Sequence, residues 1–214
     1  SGIKMTKNAT SSIVVNKKGR PKTFNKSQAS KIAMETYWKE GIENVSLNEM
    51  CRKIGESKPS VYREYGGEEG LQLAALELYY KERVEPIGKI LLGGENIVLG
   101  IKSAFDFLIN EHFKEKKIAA ACMYNREGMH PSENLAVICK KFIEKKEKEN
   151  MSFLKENLKK AIDKGDIKKS ININAYSLYI YNQIRLIASL SNKDELPKST
   201  LSEMVDLIMM PLLP

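Results

Sequence analysis

No stretch of this 214-residue sequence approaches 18 consecutive apolar residues, so none reads as a membrane-spanning helix. The first 24 residues include Lys4, Lys7, Lys17 and Lys18 and have no apolar core of the roughly 7–15 residues that a secretory signal needs, so a cytoplasmic location is expected. Cysteine is scarce: Cys51, Cys122 and Cys139 are odd in number, far apart and never in a C-x-x-C pair, which argues against a disulfide framework and a cysteine zinc site. Histidine is scarcer still. His112 and His130 leave few metal or triad constellations, and a nucleophile made from Cys122 with either of them loses to the simpler reading of a buried, inert thiol. Phosphate-cradling glycine loops, G-x-S-x-G and H-E-x-x-H are all missing, so no catalytic residue, metal or cofactor is expected. Aromatics are only 7%, with 13 Gly and 7 Pro. That poverty in turn formers and ring side chains, beside abundant Lys, Glu, Leu, Ile and Met, favours helices over a β-sandwich.

What is present is positive charge, and it is unevenly placed. The formal charge is +8; residues 1–66 hold 13 Lys or Arg against 6 Glu, whereas residues 67–214 hold 22 against 21 acids. A basic end joined to a nearly neutral remainder points to a polyanion-binding module attached to something else. Within residues 17–22, Lys-Lys-Gly-Arg-Pro-Lys is a basic, non-helical segment, read either as a solubilising tail or as an arm whose Arg20 enters a narrow minor groove. From Lys26 to Lys39 apolar residues recur with helical spacing, and Gly41 closes the helix. Ser46-Leu47-Asn48-Glu49 is a capping box that opens a short helix with Leu47, Met50, Cys51 and Ile54 on its inner face. Gly55 ends it, and Ser57 caps a third helix that starts Lys58-Pro59, where a proline costs no intrahelical hydrogen bond. Two short helices across a tight glycine turn, preceded by a longer one, are the parts of a helix-turn-helix.

Residue identities sharpen this. Glu40-Gly41-Ile42, Val45-Ser46-Leu47, Ile54-Gly55, Ser57-Lys58-Pro59-Ser60-Val61-Tyr62-Arg63-Glu64-Tyr65 and Glu69-Gly70-Leu71 together resemble the DNA-binding domain of the tetracycline-repressor (TetR) family, without a gap over residues 27–75. Two positions depart from the family's pattern: Tyr65 stands for the usual Phe, and Glu68 for a Lys that usually meets a phosphate. The resemblance implies an all-α fold of about nine helices. It implies a tail or arm over 1–24, a helix-turn-helix domain over 25–72, and an effector-binding and dimerisation domain over 73–214. The candidate DNA contacts are Ser46, Ser57, Lys58, Pro59, Ser60, Tyr62, Arg63 and Arg20. Lys58 suits guanine O6/N7, Pro59 and the Ser60 methylene suit thymine methyls, and the hydroxyls of Ser46, Ser57 and Tyr62 suit phosphate oxygens. Val61 and Tyr65 are expected to pack inward.

Beyond Leu71 further helices are expected, with Pro86 kinking or dividing the first and Gly93-Gly94 ending it. A long polar helix is expected from Glu133 to about Lys164, with Leu135, Ile138, Phe142 and Leu154 inside and the charge block 144–149 as a solvated face or corner. The segment Ile173–Ser191 is apolar on most sides and so needs burial on two sides. The resemblance makes that second burial a homodimer interface, and it implies a small-molecule effector pocket; Phe105, Met123, Tyr124, Tyr181 and Arg185 are the candidates to line it. The expected partners are therefore double-stranded operator DNA, a second copy of the chain and an unidentified effector, with no membrane. The expected function is a transcriptional regulator released from a palindromic operator by its effector. The competing reading, a helical interaction protein with a basic RNA- or membrane-binding end, needs exposed stacking aromatics or a basic amphipathic face, and here the aromatics fall on core positions.

Overall fold

The computed structural model describes residues 23–114, 123–191 and 196–212. Arg20 and the segment 17–22, the side chain of His112, and Cys122 lie outside the described residues. The expected all-α class is what is found: the described residues form helices and no strands. In chain order these are α1 (Lys26–Glu40), α2 (Leu47–Ile54), α3 (Lys58–Tyr65), α4 (Glu68–Tyr79), α5 (Glu85–Leu92), α6 (Ile97–Lys114), α7 (Met123–Met129), α8 (Val137–Lys164), α9 (Ile173–Leu190) and α10 (Lys198–Met209).

Helices α4 and α5 form one rod through a π-helical turn at Tyr80–Val84, which brings the number of separate helices among the described residues to nine. The reason is Pro86 in the first turn of α5: it lacks the N–H that an α-helix would spend on the fourth residue before it, and its ring crowds that carbonyl. Gly93 then ends the rod as expected. The chain doubles back at once, and α6 crosses α5 so closely that a Cβ on Gly100 would lie 2.0 Å from the Leu91 carbonyl oxygen. Only glycine fits there.

The buried apolar residues fall into two clusters. The first gathers α1 to α4 around Tyr37, Met50, Val61 and Leu76, and it also takes in Met123 and Tyr124 of α7 and Cys139 and Ile143 of α8. The second joins α5, α6, the later half of α8, α9 and α10 around Ile101, Phe105, Leu158, Ile180 and Val205.

Helix α8 departs from its expected course in three ways. It starts at Val137 rather than Glu133, because Asn134 and Ala136 are turned aside to bond with Gln72 of α4. That start sets its rotation so that Cys139 is buried and Ile138, expected inside, is 38% exposed. The charge block is an unbroken helical stretch and is not wholly solvated: Glu147 pairs with Arg185 of α9, and Lys146 Nζ lies 5.1 Å from the centre of the Tyr80 ring.

Candidate nucleic-acid interface

Two caps and two glycines build the helix-turn-helix. Ser46 Oγ accepts from Glu49 N at 3.2 Å, opening α2. Gly55, at φ 75°, turns the chain in the left-handed region, and its N–H and that of Glu56 reach back to the Cys51 carbonyl. Ser57 Oγ accepts from Ser60 N at 3.3 Å, opening α3 with Pro59 in its first turn. Of the eight residues of α3, only Val61 is buried, and it joins the first apolar cluster, with α3 packed on α4 and α2.

The opposite face of α3 is open. Lys58 and Pro59 are exposed, Ser60 is half-buried, Tyr62 is 55% exposed, and Arg63 is exposed with Nε 3.3 Å from its neighbour Glu64. Ser46 and Ser57, exposed at the N-termini of α2 and α3, lie beside that face. The structure thus brings Ser46, Ser57, Lys58, Pro59, Ser60, Tyr62 and Arg63 onto one helix-turn-helix surface; Arg20 lies outside the described residues.

Three further residues hold α3 in place. Tyr65 turns its ring toward α1, where its hydroxyl donates to the Lys26 carbonyl at 3.0 Å and meets Ser30 Oγ at 2.8 Å, while Lys26 Nζ donates to the Glu64 carbonyl at 2.9 Å. Tyr in place of the expected Phe therefore ties the end of α3 to the start of α1. Gly67, at φ 132°, lies under the Tyr62 ring, and a Cβ there would be 3.4 Å from Tyr62 Cε1. At Gly70 a Cβ would fall 1.7 Å from the Tyr65 carbonyl oxygen, so α4 passes the end of α3 at backbone contact. Gly70 stands in the Glu69-Gly70-Leu71 match, but neither its crowding nor the contact of Gly67 with Tyr62 can be read from neighbouring residues.

Charge is less concentrated on this surface than the count over residues 1–66 implies. Residues 1–22 hold six Lys or Arg and no acid, so residues 23–66 carry seven against six. Several of those seven are also engaged: Lys53 Nζ sits 2.6 Å from Glu40, which holds its ammonium above the usual range. Glu68, the departure from the family pattern, opens α4, where a carboxylate suits the positive end of the helix. Its charge is felt by the Tyr37 hydroxyl, whose pKa burial raises in the first place. Cys51 and Cys139 are buried and free, and burial pushes their thiols up, that of Cys139 to about 12. Neither is a nucleophile at neutral pH.

The candidate effector residues do not form one lining. Phe105 is in the second apolar cluster and Met123 in the first. Tyr124, Tyr181 and Arg185 do meet. The Tyr124 hydroxyl donates to the Ile143 carbonyl at 3.3 Å, and the Arg185 guanidinium donates to the Tyr181 hydroxyl at 3.4 Å, lies 4.6 Å from the centre of the Tyr181 ring and pairs with Glu147. Arg185 Nε is buried with no hydrogen-bond partner among the described residues. An open groove of about 330 Å³ lies elsewhere, between α1 and α4, lined by Lys26, Ser30, Glu77 and Lys81.

Helices α9 and α10 turn apolar side chains outward: Leu178 is 57% and Leu207 65% exposed, with Tyr179 and Leu186 also exposed, as is Met210 in the turn after α10. No helix of the described residues is long and apolar enough to cross a membrane.

No protein-family model matches the chain. It is 37% identical over 62 residues to the HTH-type transcriptional repressor ComR of Escherichia coli K12, a match over 29% of this chain and 30% of ComR. It is 29% identical over 116 residues to the HTH-type transcriptional repressor BdcR of the same organism, over 52% of this chain and 56% of BdcR. The matches thus span about a third to a half of the length of those relatives. Among solved structures, the TetR family transcriptional regulator CifR, a cysteine mutant complexed with 26-base-pair operator DNA, superposes with a TM-score of 0.76 at 19% identity, over 91% of this chain and all of that one. AibR, in complex with isovaleryl coenzyme A and operator DNA, gives 0.65 at 15% identity over 86% and 97%.

Proposed function

We propose that this chain, which has the fold of the TetR-family regulators, is a non-catalytic, DNA-binding transcriptional repressor that acts as a homodimer in the cytoplasm. The observation that carries this reading is the open face of α3, where Lys58, Pro59, Tyr62 and Arg63 are presented from a helix whose other side is locked by Val61 and Tyr65. Lys58 and Pro59 read base edges, while Ser46, Ser57 and Tyr62 fix register on phosphates. Residues 25–72 form the DNA-reading domain and 73–214 the sensing and dimerising one, with 1–24 as a basic arm whose Arg20 enters the minor groove. The exposed apolar faces of α9 and α10 support dimerisation, since a C2 axis there gives a palindromic operator two recognition helices. For the effector, the best-supported place is around Tyr124, Tyr181 and Arg185, without Phe105 of the second apolar cluster; the buried Nε of Arg185, with no hydrogen-bond partner among the described residues, favours a ligand with an acidic group. Such a ligand lowers DNA affinity by favouring a spacing of the two α3 helices that no longer fits successive major grooves.

The test is selection of the full chain on random 30-base-pair duplexes, followed by footprinting. A two-fold symmetric site with half-sites about one helical turn apart is expected. Failure to enrich any duplex sinks the reading.

A further inference from the structure

The contacts made by α7 and the connection to α8 are unlike the rest of the packing. Arg126 reaches across about ninety residues of sequence and donates to two main-chain oxygens in the last turn of α1, Tyr37 O at 3.0 Å and Trp38 O at 3.3 Å. Tyr37 O also accepts the Gly41 N–H that closes α1, and Trp38 O follows it at the negative end of the helix, so a guanidinium there is well matched in hydrogen bonding and in dipole. The next residue fixes the guanidinium in turn. Glu127, its side chain fully enclosed, faces Arg126 Nε at 3.3 Å and accepts from Ser132 N at 2.9 Å. Ser132 Oγ lies 3.0 Å from Glu127 Oε1 and also contacts the carboxylate of Glu43, in the 3-10 turn Ile42–Asn44 between α1 and α2. A hydroxyl has one proton, so it serves one of those two carboxylates at a time. Two residues beyond Ser132, the same connection grips α4, where Gln72 donates to Asn134 O at 3.2 Å and accepts from Ala136 N at 3.0 Å.

We infer that Arg126, Glu127 and Ser132 form a clasp that positions the α1–α2 corner, and with it Ser46 and α3, so that movement of α7 is delivered to the DNA-reading helices through these bonds. The inference rests on the DNA-binding reading above. The corner ends at Val45, one residue before the Ser46 cap of α2, so a tilt of the corner moves Ser46 directly. Arg126 is a positioning residue: its terminal nitrogens are spent on α1.

The experiment compares the full chain with Arg126→Ala, Arg126→Lys and Ser132→Ala by hydrogen exchange, and measures affinity for the duplex that the wild-type chain selects from the random pool. For Arg126→Ala, exchange over residues 41–47 is expected to quicken on the order of tenfold with that of α9 unchanged, and DNA affinity to fall on the order of tenfold at an unchanged salt slope. Arg126→Lys recovers part of both, since an ammonium still donates to one carbonyl. Unchanged exchange over 41–47 overturns the clasp. A fall in affinity with the salt slope reduced by about one overturns it too, because Arg126 would then touch phosphate itself. If Arg126→Ala also loosens α9, the fold as a whole is affected and Ser132→Ala decides: faster exchange confined to 41–47 supports the clasp, and none overturns it. Should the wild-type chain select no duplex, the DNA reading fails by itself and the exchange measurements still judge the clasp.

Discussion

Helices α3 and α9 solve opposite problems with the same backbone. Helix α3 buries one valine and shows water a lysine, a proline, a tyrosine and an arginine. Helix α9 puts Ser177 and most of Arg185 inside and shows Leu178, Tyr179 and Leu186. An exposed polar face on a helix this short says little by itself, because solvated faces are common. An exposed face rich in donors becomes informative when the opposite side is pinned as tightly as Val61 and Tyr65 pin α3. An exposed apolar face on a helix that hides polar groups is informative at once, because water penalises it.

The contrast can be broken at either helix. The largest effect is expected at α9. If α9 forms the proposed two-fold interface, Leu178→Glu with Leu186→Glu places carboxylates on both sides of it and should weaken self-association by about 4 kcal/mol or more. Sedimentation analysis reads this directly, and a double variant that remains dimeric at micromolar concentration puts the interface elsewhere. Gly70→Ala comes next: the methyl collides with the Tyr65 carbonyl, and a loss of about 3 kcal/mol in melting stability is expected, with α3 displaced. A neutral result would mean that α4 can back away from α3. Lys58→Ala should relax base preference and cost roughly 1–3 kcal/mol per half-site, measured by gel shift against the selected duplex and its point variants. Glu68→Lys should tighten DNA binding modestly and steepen its salt dependence if residue 68 faces phosphate. No change would leave Glu68 serving only the α4 terminus and the core.

The smallest effect concerns pH. The Ser132 hydroxyl holds the Glu43 carboxyl below its usual range. A carboxyl lowered in the folded chain adds stability above its unfolded pKa and loses it as pH falls through the folded value. Acidification below about pH 4.5 should therefore loosen the α1–α2 corner slightly in the wild type and not in Glu43→Gln, as followed by emission of Trp38, the single tryptophan. Equal acid sensitivity of the two chains counts against that assignment.

The first three helices were legible in the sequence because their ends are written in local chemistry: Ser46, Ser57, Gly41 and Gly55 act on neighbours a few residues away. The same holds for Pro86 and Gly93. Helix α8 was misread at its start because the residues that delay it answer to Gln72, some 60 positions earlier. Nothing near Arg126 in sequence reveals that its partners are main-chain oxygens of α1, nearly ninety positions earlier. The charge count was correct and its location only half so, since most of the excess of the basic third precedes residue 23.

The π turn between α4 and α5 has a further effect as a shift of phase. It winds one more residue than an α turn, which rotates everything after it by about 100°. Val84, Ile87 and Leu91 therefore occupy the angular positions that Arg83, Pro86 and Ile90 would hold in an unbroken helix. The rod thereby joins two apolar stripes that are out of step by one residue, the first serving α1 and α3, the second α6. Deleting a single residue within 80–84 would leave a good helix by composition and aim its downstream half at the wrong neighbour.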